Sequence, residues 1–326
     1  MSSLDLRTPG FAWVLGTGRC GSTLIHEILA RHPAVGFVSN VEDRVVLPPW
    51  AGRWNNAAFR RVPPAFTTKG RVRYAPSEGY RLLEREVSPL LAAPYRDLTA
   101  DDVTPWLSGR LQRVLETRAR LQGQPLFVHK FTGWPRAGFL DAVFPGSRYI
   151  HIIRDGRAVA NSWLQMGWWT GHRGPEAWNW GSLPEQYRKE WEASGESFPL
   201  LAGLAWKVLI DAFETARERI EPHRWLELRY EDVLAAPAES FAIMLAFLGL
   251  PRDDRFDEAL SRYEFRTGRA EAFRRDLDTR SLQLLDASLA GHLARHGYGT
   301  PSPQETASKG PAAAGRSLRS GRQALS

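Results

Sequence analysis

The chain has 326 residues, of which 43% are hydrophobic and 24% charged; this excludes a largely disordered polymer and supplies the apolar surface for one large core. A single cysteine excludes an intramolecular disulfide framework and a cysteine zinc site, and no apolar run is long enough to cross a bilayer. The net charge of +7 suits an anionic ligand, no basic helix with interleaved aromatics points to nucleic acid, and residues 1–9 lack the layout of a secretory signal, so cytoplasmic residence is expected.

Residues 11–15 are a short apolar run and read as a buried strand. A turn containing Gly16, Gly18 and Gly21 follows, after which Leu24, Ile25, Ile28 and Leu29 recur with helical spacing. Strand, glycine turn and helix start together make a phosphate site. The glycines let the backbone approach an anion, and the free N–H groups of the first helical turn point at it. Gly16 and Gly21 have the spacing of a nucleotide triphosphatase loop, but Ser22 stands where that pattern has lysine. The fixed cation is instead Arg19, which holds phosphate or sulfate without magnesium.

Residues 35–38 read as a short strand leading into Ser39–Asp43. Residues 44–76 carry two Pro-Pro pairs and little periodicity, as a lid or substrate loop does. Helices are expected near 77–92 and 101–121, the second opened by a capping box of Thr99 and Asp102. Residues 126–131 form a strand with Lys130 near its end, 137–143 a helix, 148–153 a strand ending at Arg154, and 156–165 a helix. Residues 166–195 are rich in tryptophan and glycine and read as irregular. A long helix at 198–220, a strand at 224–228 and helices at 237–248, 253–262 and 278–295 complete the pattern. Alternating strands and helices predict an α/β fold: a parallel central sheet with helices on both faces. One domain is expected over 8–299. The tail, 300–326, is rich in Pro, Ser, Ala, Gly and Arg and is expected to be disordered.

Gly16, Arg19, Gly21, Ser22 and Thr23 form the pattern G-x-x-R-x-G-S-T, which resembles the 5′-phosphosulfate loop of sulfotransferases that use 3′-phosphoadenosine 5′-phosphosulfate (PAPS). Arg154, with Ser162 eight residues later, resembles the 3′-phosphate motif of the same family, and Arg157 looks like the arginine that often accompanies it. Arg229-Tyr230-Glu231-Asp232-Val233 and Phe247-Leu248-Gly249-Leu250-Pro251 are similar to the RYEDL and FLGLP segments of bacterial sulfotransferases. The resemblance covers residues 11–42, 126–163 and 200–251. It implies a P-loop kinase-like sulfotransferase architecture and in-line transfer of a sulfuryl group from PAPS to a hydroxyl or amine of a small-molecule, sugar, phenol or lipid acceptor. No metal is implied, because fixed cations stabilise the charge that grows on the leaving phosphate.

In that reading Arg19, Cys20, Gly21, Ser22 and Thr23 bind the 5′-phosphosulfate, Arg154 and Ser162 grip the 3′-phosphate, and Tyr230 approaches the adenine. Simple helix capping remains an alternative for Ser22 and Thr23, and a core role for Tyr230. Arg19 stabilises charge in the transition state or only binds the ground state. Lys130 resembles the strand lysine that touches the transferring group, with a surface lysine as the alternative. Glu42 is the first candidate for the general base, followed by Asp43 and His129. Arg266 and Arg269 are candidates to close over the 3′-phosphate. The tryptophans after Ser162 either wall an acceptor site or anchor their loop. A nucleotide kinase or triphosphatase and a non-catalytic nucleotide-binding module stay open as rival functions.

Overall fold

Apolar runs bounded by glycine turns become five strands: β1 (Gly10–Gly16), β2 (Val35–Gly36), β3 (Leu126–Thr132), β4 (Arg148–Ile153) and β5 (Trp225–Arg229). They pair in parallel in the spatial order β2-β3-β1-β4-β5. The structure is a computed structural model and describes residues 9–63, 66, 74–266, 268 and 270–299; the expected tail, 300–326, lies outside them.

β1 is the central strand, and its residues 11–16 are all buried, as a strand covered on both faces requires. Side chains alternate across it. Phe11, Trp13 and Leu15 pack on one face with Phe127 and Phe131, under helices α6 (Pro105–Gln122), α7 (Ala137–Val143) and α10 (Phe198–Arg219). Ala12 and Val14 face the other side, against α1 (Ser22–Leu29), α12 (Pro237–Leu248) and α13 (Asp254–Ser261). A further core joins α8 (Gly156–Leu164), α10 and α15 (Thr279–Arg295) with the tryptophan-rich loop. The parallel sheet with helices on both faces agrees with the expected α/β class. Its register puts Gly16 beside Thr132 and Leu15 beside His151, so β1, β3 and β4 end together at one edge. Ligands of open α/β sheets bind at that carboxyl edge.

Several helices differ from the sequence pattern. The expected helix at 77–92 divides into α4 (Tyr80–Glu86) and α5 (Pro89–Ala92). Pro89 cannot continue α4, and the Ser88 hydroxyl caps α5 by accepting from the Leu90 amide at 3.2 Å. The capping box of Thr99 and Asp102 closes only one 3-10 turn, while α6 begins at Pro105 under a Thr104 cap. Helices α2 (Asn40–Arg44), α3 (Ala51–Arg61) and α9 (Glu185–Ala193) occupy stretches that show no regular period in the sequence.

Candidate active site

The turn after β1 is held in conformations that a chain of ordinary residues avoids. Gly18 and Gly21 have φ of 83° and 94°, and Arg19 itself sits at 57°, a strained value for a side chain of its size. Cys20 is fully buried, and a Cβ on Gly16 would overlap its sulfur, so Cys20 offers the turn only its backbone. Gly21 is the N-cap of α1, and no side chain caps that helix. Ser22 and Thr23 are therefore not the caps they resemble. The first-turn amides of α1 keep no capping side chain, which suits an anion.

The two motifs expected to share one ligand meet directly. Arg19 Nε donates to Ser162 Oγ at 2.9 Å, and Arg154 Nη1 donates to the Arg19 carbonyl at 2.9 Å. The Arg154 guanidinium also lies 5.2 Å from the centre of the Tyr230 ring. A Cβ on Gly21 would overlap that ring, so the glycine permits the approach of helix α11 (Tyr230–Ala235) to the turn. Arg19, Gly21, Arg154, Ser162 and Tyr230 thus form one cluster at the ends of β1, β4 and β5.

A second cluster stands at the end of β3. Lys130 pairs in register with Val14 and is 5% exposed. Its Nζ donates to Thr23 Oγ1 at 2.6 Å and lies 3.0 Å from Glu78 Oε1. Thr132 Oγ1 donates to the same carboxylate oxygen at 3.0 Å. Burial pushes the Glu78 pKa up, but the Lys130 charge and the hydrogen bonds from Lys130 and Thr132 outweigh it and hold the carboxyl below its ordinary value. Thr23 connects the clusters, since it lies in the first turn of α1 and accepts from Lys130. Cation, hydroxyl and carboxylate therefore converge beside an uncapped helix start.

The model of the sulfotransferase family matches residues 12–254. The chain belongs to the sulfotransferase family. Sulfotransferase STF9 from Mycobacterium avium shares the fold, with a TM-score of 0.55 at 15% identity over 90% of this chain and 78% of that one. Sulfotransferase STF1 from Mycobacterium tuberculosis gives 0.49 at 17% identity over 88% and 78%. The sulfotransferase domain of the Synechococcus PCC 7002 olefin synthase gives 0.48 at 17% over 92% and 99%. No curated protein matches this chain in sequence.

In this sulfotransferase the residues expected as candidates for the base make structural contacts of their own. Glu42 is 2% exposed and forms a capping box: its Oε2 accepts from the Ser39 amide at 2.9 Å and the Ser39 hydroxyl at 2.7 Å. Its Oε1 lies 3.8 Å from Arg118. Burial raises its pKa, opposed by the hydrogen bonds from Ser39 and the charge of Arg118. Asp43 accepts from the Leu82 amide at 3.0 Å and from Ser77 Oγ at 3.3 Å, which fixes the start of α4. His129 points to the face of β3 opposite Lys130, edge-on to Phe131 with ring centres 4.9 Å apart, and burial lowers its pKa to about 4. The carboxylate that meets Lys130 is Glu78, which the sequence reading missed.

Arg157 is also used structurally. Its Nη2 donates to Asp155 Oδ2 at 2.6 Å and its Nη1 to Asp286 Oδ1 at 2.7 Å, so it ties α8 to α15. Most tryptophans of the loop after Ser162 anchor it: Trp163 stacks on Trp180 at 4.8 Å, and Trp169, Trp178 and Trp191 are buried with them. Trp168, 47% exposed, is the exception within that cluster. Arg266 pairs with Glu264 at 2.9 Å on the surface, and Arg269 lies outside the described residues. Among the described residues, no group of three or more His, Cys, Asp or Glu is arranged to hold a metal ion.

Glu27, on α1, is 4% exposed, and burial pushes its pKa up to about 7 against the pull of Lys130 and Arg31. A folded-state pKa above the unfolded value favours folding in the protonated form. That contribution is complete below about pH 4.3 and declines as pH rises toward 7, by up to about 3 kcal/mol. Glu27→Gln is expected to flatten this decline. Urea melts of parent and variant at pH 5 and 7.5 check it; parallel losses of stability in both proteins would remove Glu27 as the cause.

Proposed function

We propose that this sulfotransferase moves a sulfuryl group from PAPS to an acceptor hydroxyl or amine by in-line displacement. The observation that carries the reading is the bonding of Arg19 to both Ser162 and Arg154, which brings the two motifs together at one sheet edge. The amides of residues 19–23 and the Arg19 guanidinium receive the 5′-phosphosulfate, Arg154 and Ser162 hold the 3′-phosphate, and Tyr230 borders the adenine. PAPS supplies the sulfuryl group and departs as adenosine 3′,5′-bisphosphate. Arg19 stays charged at neutral pH and acts on growing negative charge rather than as a proton donor.

Lys130 faces the transferring group, and Glu78 takes the acceptor proton as the new S–O bond forms and the old one breaks. Glu78 is held ionised by Lys130. Anionic donor oxygens compete for Lys130, so donor binding loosens that hold and makes Glu78 a stronger base when one is needed. The catalytic unit is assigned to residues 8–299. The acceptor class remains a hydroxyl or amine of a small molecule, sugar, phenol or lipid.

Thermal shifts with adenosine 3′,5′-bisphosphate, AMP and ATP test the donor class. At a hundredfold excess over Kd the bisphosphate is expected to raise Tm by about 2 °C or more, with AMP and ATP well behind. Equal or larger shifts with ATP and magnesium would overturn the proposal in favour of a kinase-like enzyme.

A further inference from the structure

Helix α3 is amphipathic in the reverse sense. Its buried face carries Gly52, Asn55, Asn56 and Phe59, while Trp50, Arg53, Trp54 and Arg61 are exposed. Spaced by three, four and seven residues, those four share one outward stripe. The inward asparagine Asn56 bonds Gln122 at 2.9 Å, so the polar side of the helix is consumed inside the protein. Trp54 is 68% exposed, and the flanking Val46 and Phe66 are 72% and 70% exposed. Residues 44–77 contain seven basic and no acidic side chains. Arg44, Arg53 and Arg61 are exposed, and none of them forms a salt bridge to a described residue.

We propose that this face binds the surface of an anionic lipid bilayer. Tryptophan and arginine on one stripe suit the headgroup boundary, where indole rings lie at the interface and guanidinium groups meet phosphates. The absence of any acid in the segment gives the charge complementarity. Exposed Val45, Val46 and Phe66 enter hydrocarbon but have no counterpart in a polynucleotide, which favours lipid over nucleic acid. No described helix is long and apolar enough to cross a membrane, so attachment of this kind is peripheral. The inference is independent of the donor assignment, because none of these residues belongs to the Arg19 or Lys130 clusters.

Co-sedimentation of the full chain with vesicles of phosphatidylglycerol and phosphatidylcholine, against phosphatidylcholine alone, tests it. The parent is expected to bind the anionic vesicles and release them at high salt. Arg53→Glu with Arg61→Glu is expected to weaken binding by about 30-fold, and Trp50→Ser with Trp54→Ser by about tenfold. Both double variants should keep the parent Tm and the parent shift with adenosine bisphosphate. Failure of the parent to bind, or variants that bind equally well, overturns the proposal. So does a dimer that the variants dissolve in ultracentrifugation, or an oligonucleotide whose binding these substitutions remove.

Discussion

Glu78→Gln is expected to lower kcat by about 10²- to 10⁴-fold while leaving the thermal shift with adenosine 3′,5′-bisphosphate at the parent value. Glutamine keeps the size and accepts from Thr132 and Lys130, but it cannot take a proton. The loss therefore falls on the chemical step and not on donor binding. Glu42→Gln provides the contrast. It weakens a buried cap and the approach of Arg118, so about 1–3 kcal/mol of stability is lost at an unchanged kcat per folded molecule. If Glu42→Gln loses turnover and Glu78→Gln does not, the base is Glu42 and the assignment fails. The pH profile adds a second reading. Lys130 depresses the Glu78 pKa in the free enzyme, so the acid limb of kcat/KM lies below the ordinary glutamate range. With donor bound and Lys130 engaged, the acid limb of kcat moves to higher pH.

Arg19→Ala is expected to reduce kcat by about 10²- to 10³-fold and also to weaken donor binding. The size follows from two losses. The charge that opposes the leaving phosphate disappears, and the Nε bond that holds Ser162 disappears with it. Arg19→Lys restores charge without a guanidinium that bridges hydroxyl and ligand together, so it recovers only part of the rate. Ser162→Ala separates the contributions: a weaker bisphosphate shift with kcat near the parent value marks ground-state binding. Full activity in Arg19→Ala at saturating donor would dismiss Arg19 as a catalytic residue and leave it a binding group.

Much of the frame was legible because local chemistry and tertiary use agree. Gly16 and Gly21 leave no room for a Cβ, Gly18 holds a φ that favours glycine, and the apolar runs at β1, β3 and β4 are buried on both faces. The burial of Glu42 had a local sign that was passed over: Ser39 and Glu42 have capping-box spacing, and the helix they cap uses that carboxylate. Glu78 had no local signal, since only the pairing of β3 with β1 and the path of residues 77–80 bring it to Lys130. Helix α3 escaped a search for apolar periodicity because its tryptophans face outward and its asparagines inward.

The family match stops at residue 254, yet the helix bearing Ser162 leans on chain beyond that point. Asp286 of α15 receives Arg157, and Leu285, Leu289 and Leu293 pack into the same core as Trp163. A truncated protein ending at the matched boundary would strip the underside from α8 and bare a strip of leucine-lined interior. A fragment that keeps this interior intact must therefore run past α15 to include Tyr298, which is buried in the same core and donates to Glu231 at 2.6 Å.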